Sequence, residues 1–173
     1  PLVDHLEAAS SLITSREERL EAARACLTAT VRAEQNTAWS TVQHAAQTAL
    51  HFLPPDSWQT EHELTWQIHR AAMNADYLNG NHERAEATFR SLSRATADPL
   101  RLARVYEQLV VLYTNTGRHE ESIDLALAGL ARLGMKLPRS PGKLRVLGSL
   151  AAVRIALRGR SPHEILHLPE MKD

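Results

Sequence analysis

Leu78-Asn79-Gly80-Asn81-His82-Glu83-Arg84-Ala85 returns, 37 residues further on, as Asn115-Thr116-Gly117-Arg118-His119-Glu120-Glu121-Ser122. Glycine, a polar residue, histidine, glutamate, a charged residue and a small one follow in the same order in both. Gly and Asn tolerate the positive φ of a tight turn, so each stretch is a break between two helices. The period continues: Phe89 aligns with Ala126, and Leu92 with Gly129. Further upstream the match is looser. Ala46, Ala49 and Leu50 fall where Ala126, Gly129 and Leu130 do, which puts Thr37 in the glycine place. A fixed period of this size, in units too small to bury their own apolar faces, is the pattern of a stacked helical array.

The remaining breaks and the apolar spacing predict helices over 5–13, 17–33, 38–53, 56–79, 83–95, 98–116, from Gly117 to about 133, and 142–158, with a short last one near 162–168. In 17–33, Leu20, Ala23, Leu27, Thr30 and Val31 recur at threes and fours and mark one buried face. Ser15 and Glu18 have the spacing of a capping box. Pro54-Pro55 stop the third helix. Asp98-Pro99 supply an N-cap and a proline at the first helical position. Short turns force neighbours antiparallel. The expectation is an all-α fold of eight or nine helices over 1–173, a single repeat domain, with pairs at about 16–53, 56–95 and 98–133 and terminal helices at 142–168.

Composition agrees. Of 173 residues, 43% are apolar, and Lys plus Arg balance Asp plus Glu at 20 each. Ala and Leu, strong helix formers, far outnumber the β-branched Val and Ile. Net neutrality points away from nucleic acid. No apolar run approaches the roughly 20 residues that span a bilayer, which points away from a membrane. A lone Cys26 fits a reducing, cytoplasmic setting. A chain starting at Pro1 reads as a piece of a longer protein.

The glycine turns, the small Ala85 and Ser122 and the large Phe89 together resemble the tetratricopeptide repeat, which implies a right-handed superhelical array. Tyr106, Leu109 and Tyr113 stand where that family places an aromatic, a leucine and a tyrosine, and Pro54 where it places its closing proline. His69, Ala72 and Asp76 depart from those three places in the preceding pair. Several phrases carry a narrower resemblance: Ala49-Leu50-His51-Phe52-Leu53-Pro54-Pro55-Asp56-Ser57-Trp58, Tyr77-Leu78-Asn79-Gly80-Asn81, Leu112-Tyr113-Thr114-Asn115-Thr116-Gly117-Arg118, and the ending from Gly159 to Pro169. From about Ser15 onward the chain is similar to the helical region of large bacterial signalling proteins. Those proteins fuse a serine/threonine-kinase-like domain, a predicted ATPase, this region, a GAF domain and a sensor histidine kinase. The resemblance implies a non-catalytic interaction and coupling module. Its partners would be the neighbouring ATPase, GAF or kinase domains, another protein, or a second copy. No catalytic residue, metal or cofactor is expected.

In such arrays the first helix of each pair lines a concave groove. The residues expected there are Gln67, Arg70, Asn74 and Tyr77, then Arg104, Glu107, Val111 and Thr114. A second candidate surface is basic. From Leu125 to His163 there is no Asp or Glu, and helical periodicity puts Lys143, Arg154 and Arg158 on one face of the helix over 142–158, fit to dock an acidic surface. Two alternatives compete. One is a small-ligand sensor with a pocket lined by Trp66, Tyr77 and Tyr106. The other is a zinc enzyme using His163-Glu164-Ile165-Leu166-His167, which matches H-E-x-x-H. Against zinc, Glu164 has the capping-box place after Ser161, Pro169 stops the helix, and few residues remain to supply a third ligand.

Overall fold

Residues 2–140 and 142–157 are described in a computed structural model of the chain. Among the described residues every regular element is helical: α1 (Leu2–Ala8), α2 (Arg16–Gln35), α3 (Trp39–Phe52), α4 (Ser57–Thr60), α5 (His62–Leu78), α6 (His82–Ala95), α7 (Pro99–Asn115), α8 (His119–Arg132) and α9 (Lys143–Ala156). They fall into two compact units, α1–α8 in the first and α9 in the second.

In the first unit α2 packs on α3, α5 on α6, and α7 on α8, and consecutive pairs meet through α3 on α5 and α6 on α7. The turns follow one design. Gly80, Gly117 and Gly134 adopt φ of +83°, +78° and +88° after α5, α7 and α8. Each closes its helix with two reversed bonds, as in Asn81 N–H to Asp76 C=O at 2.7 Å and Gly80 N–H to Tyr77 C=O at 3.0 Å. Thr37 makes the same pair after α2, through Ala38 N–H to Ala33 C=O and its own N–H to Glu34 C=O, both at 3.0 Å. It does so at φ 53°, the one non-glycine described residue in that region. A β-branched residue there is strained by about 1–2 kcal/mol, and glycine gives back roughly 0.5–1 through unfolded-chain entropy. Thr37→Gly is therefore expected to raise stability by about 0.5–1 kcal/mol, read as a higher urea midpoint at unchanged slope.

Two sequence boundaries are corrected. The first helix starts at Leu2 and ends at Ala8, earlier than 5–13. The expected 56–79 helix breaks at Glu61 (φ −131°) into α4 and α5. Trp58 explains the break: its ring lies over His69 at 4.8 Å and against His62 at 5.8 Å, which needs α4 folded back on α5. The other local signals act as written. Ser15 and Glu18 form the capping box on α2, and the Asp98 side chain caps α7 ahead of Pro99.

α5 is the shared wall of two cores. Leu64 and Ile68 join Leu20, Ala23, Cys26, Ala49 and Phe52 on one side. Trp66, Met73 and Tyr77 join Ala85, Phe89, Leu92, Val105, Tyr106 and Leu109 on the other. Polar pins cross both seams. Asp76, 1% exposed, accepts from Gln43 Nε2 (2.6 Å) and Gln47 Nε2 (3.3 Å) of α3, with Arg84 of α6 at 3.7 Å. At the other seam Tyr113 Oη donates to Glu86 (2.7 Å), which also accepts from Arg118 (3.0 Å), while Arg118 lies 4.0 Å over the Tyr113 ring. Burial and the Glu86 carboxylate push the Tyr113 phenol up to about 12.

Candidate functional site

The first helices of the second and third pairs leave an open groove between them, about 720 Å³ in volume. α5 contributes Glu63, Gln67, Arg70, Asn74 and Leu78, a stripe at intervals of three and four, with Trp66 beside it. α7 contributes Arg104, Glu107, Gln108, Val111, Leu112 and Asn115. The floor is apolar: Trp66 and Leu112 are buried, and the Trp66 Nε1 is buried without an acceptor among the described residues. One end is closed by charge. Arg101 Nη2 lies 2.6 Å from Glu63 Oε2, and the Arg101 guanidinium sits 5.6 Å from the Trp66 ring centre. Gln67 donates to Glu63 at 2.6 Å, and this bond, with the Arg101 contact, holds the Glu63 carboxyl below its ordinary range. Arg70 reaches back toward Glu34 of α2 at 3.9 Å. Asn74, Arg104, Glu107, Gln108 and Asn115 make no side-chain hydrogen bond or ion pair among the described residues.

Six of the eight groove residues expected from sequence line this opening: Gln67, Arg70, Asn74, Arg104, Glu107 and Val111. Tyr77 and Thr114 do not, and both are corrected. Tyr77 is 1% exposed, packs against His82 and Tyr113, and its hydroxyl pairs with Thr116 Oγ1 at 2.7 Å. Thr114 Oγ1 donates to Val110 C=O and pairs with Ser122 Oγ at 2.9 Å, so it joins α7 to α8. Both errors sit at one register place of the repeat. The stripe of Gln67, Arg70 and Asn74 continues at Leu78, a step of four, whereas Tyr77 falls past its inner edge, toward the partner helix. The same step of four from Arg104 and Val111 gives Gln108 and Asn115, which the sequence reading omitted.

Compared with protein-family models, curated proteins and solved structures, the chain matches none.

The competing sites look different. Trp66, Tyr77 and Tyr106 are all buried in one core cluster and do not line a common cavity. Among the described residues no group of three His, Cys, Asp or Glu side chains could hold a metal. His163, Glu164 and His167 lie outside the described residues, as does Arg158. Lys143 and Arg154 lie on α9 about three helical turns apart, which puts them on one side of it. Cys26 is fully buried, and burial pushes its thiol up to about 11, so it stays protonated at neutral pH. A larger opening, about 880 Å³, lies beside α1, but its walls are mainly small side chains such as Ala25, Ala29, Ala33 and Ala38. Its polar members include Asp4 and His44, which bond each other at 3.0 Å, with Arg32 and Asn36.

Proposed function

We propose that the chain is a non-catalytic interaction and coupling module, and that the groove between α5 and α7 holds an extended segment of a partner. The observation that carries this is the groove's lining. Asn74 and Gln108, half-buried on facing helices, have no partner among the described residues, although each carries two donors and an acceptor. Amides placed so can bond the N–H and C=O groups of a backbone laid between them. The apolar floor of Trp66 and Leu112 supplies non-directional contact beneath. An array of stacked pairs suits this task because the walls are whole helices, fixed by the two cores of α5. In the setting implied by the sequence resemblance, a right-handed array in a cytoplasmic bacterial signalling protein, the segment belongs to a neighbouring ATPase, GAF or kinase domain or to a separate protein. The basic side of α9 that carries Lys143 and Arg154, which the sequence period would extend to Arg158, would add a second contact to an acidic surface.

Panning a displayed library of twelve-residue peptides on the whole chain is expected to return binders. Asn74→Ala combined with Gln108→Ala is expected to weaken them about tenfold or more, the loss of one or two hydrogen bonds. Arg90→Ala, on the exposed outer face of α6, is expected to leave them unchanged. Binders indifferent to the groove substitutions would remove the reading.

A further inference from the structure

The groove is not uniform along its length, and its gradient identifies the segment it fits. We infer that this segment carries one acidic side chain and, two to four residues away, one large apolar side chain. The inference rests on the groove being the docking site and adds the chemistry of what docks.

The closed end has no use for a charge from outside, since Glu63 and Arg101 already neutralise each other at 2.6 Å. One turn further along α7, Arg104 is exposed and has no ion-pair partner among the described residues. Across the groove, Arg70 is held only loosely, 3.9 Å from Glu34. Glu107 is the anion that could oppose them. On α7, Arg101, which pairs with Glu63 of α5, shares one side of the helix with the half-buried Gln108 and the buried Leu112. Helical geometry puts Glu107 beyond Arg104 on the side away from those three, so it stands on the outer rim. A carboxylate entering the groove therefore meets Arg104 first, with Arg70 on the facing helix about one turn further along. Arginine presents a planar fork that a carboxylate accepts through two bonds.

The other end is apolar and uncovered. Val111 is 48% and Leu78 44% exposed, on facing helices, above the buried Leu112. Every other exposed residue of the lining is polar, so these two aliphatic side chains form the place for an apolar anchor. From Arg104 to Val111 is two turns of helix, about 10 Å. An extended chain covers that in about three residues, and the length of an arginine side chain widens the range by one residue either way.

The test is sequence selection by the groove. A displayed library of random twelve-residue peptides is panned on the whole chain and, in parallel, on Arg104→Glu and Val111→Asp. Both positions are exposed, and a thermal melt confirms that each variant folds. Wild-type selections are expected to be enriched in Asp or Glu two to four residues from Leu, Ile, Phe or Met. Synthetic copies of those peptides should bind Arg104→Glu at least tenfold more weakly, and the wild-type affinity should fall as NaCl rises. Arg104→Glu selections should lose the acidic enrichment, and Val111→Asp selections the apolar one. Peptides that are weakened by Asn74→Ala with Gln108→Ala yet show neither enrichment overturn this inference and leave the docking reading intact. Peptides indifferent to every groove substitution, or no binders at all, overturn both.

Discussion

Replacing Asp76 with alanine is expected to lower the stability of the folded chain by about 2–3 kcal/mol. Asp76 lies in the last turn of α5, is 1% exposed, and accepts from two side chains of the preceding pair. Truncation removes the acceptor and leaves Gln43 and Gln47, both half-buried, without a partner for donors that water reaches only in part. Each stranded donor costs about 1–3 kcal/mol, more where water is excluded and less where the side chain can turn outward. Arg84 adds little. Its side chain is 58% exposed and 3.7 Å away, so this contact is the exposed kind whose contribution is small. The three partners can be separated. Arg84→Ala should cost under about 0.5 kcal/mol. Gln43→Ala should cost about 1 kcal/mol, and should cost almost nothing in an Asp76→Ala background. Asp76→Asn keeps an acceptor oxygen and should fall between wild type and Asp76→Ala. Urea denaturation of the five variants, the Gln43→Ala with Asp76→Ala double included, checks the set. An Asp76→Ala midpoint equal to wild type would show that the carboxylate does not join the first two pairs.

Asp76 also shows where reading the sequence stops. The period of 37 places it opposite Tyr113, so it is a visible departure from its own repeat. What it does instead is fixed by Gln43 and Gln47, on the earlier helix α3. No local pattern connects them, because polar side chains at a seam carry no periodicity. Local chemistry was legible wherever the physics is local. The capping box at Ser15, the Asp98-Pro99 start and the glycine turns depend on residues within one or two turns of each other, whereas Thr37 reached the glycine place only through the repeat. The break at Glu61 was hidden because it depends on Trp58 reaching His69, a contact across a fold-back. In the groove, the approximate face of α5 and α7 was legible from the period. Its exact edge was not: a stripe extended by three instead of four turns inward, and that single step separates the buried Tyr77 from the exposed Leu78. Gln108 and Asn115, which the stepping rule would have supplied, become groove residues only once α7 is seen to lie beside α5.

Gly129→Leu is expected to be the most damaging small-to-large change in the third pair, costing about 3 kcal/mol or more. Gly129 is buried in the last turn of α8, at a helical position where glycine normally weakens a helix by about 1 kcal/mol relative to alanine. Its benefit lies in the crossing. A Cβ on Gly129 would stand 2.7 Å from Tyr106 Cδ1, 2.8 Å from Cγ and 3.1 Å from Cβ. The Tyr106 Cβ is fixed by the α7 backbone, and Cγ and Cδ1 can move only by turning the whole ring about χ1. The ring itself is held edge-on against Phe89 at 5.0 Å, in the core that α7 shares with α5 and α6. Relief must come from pushing α8 off α7. Even Gly129→Ala should therefore destabilise, by about 1–2 kcal/mol net, with the clash outweighing the gain in helix propensity. The sign should reverse when the obstruction is removed. In a Tyr106→Ala background the Cδ1 and Cγ atoms are gone, and Gly129→Ala should be neutral or should stabilise by up to about 1 kcal/mol. A Gly129→Ala change that destabilises equally with and without the Tyr106 ring would place the cost elsewhere in α8 and refute the close crossing of α7 and α8.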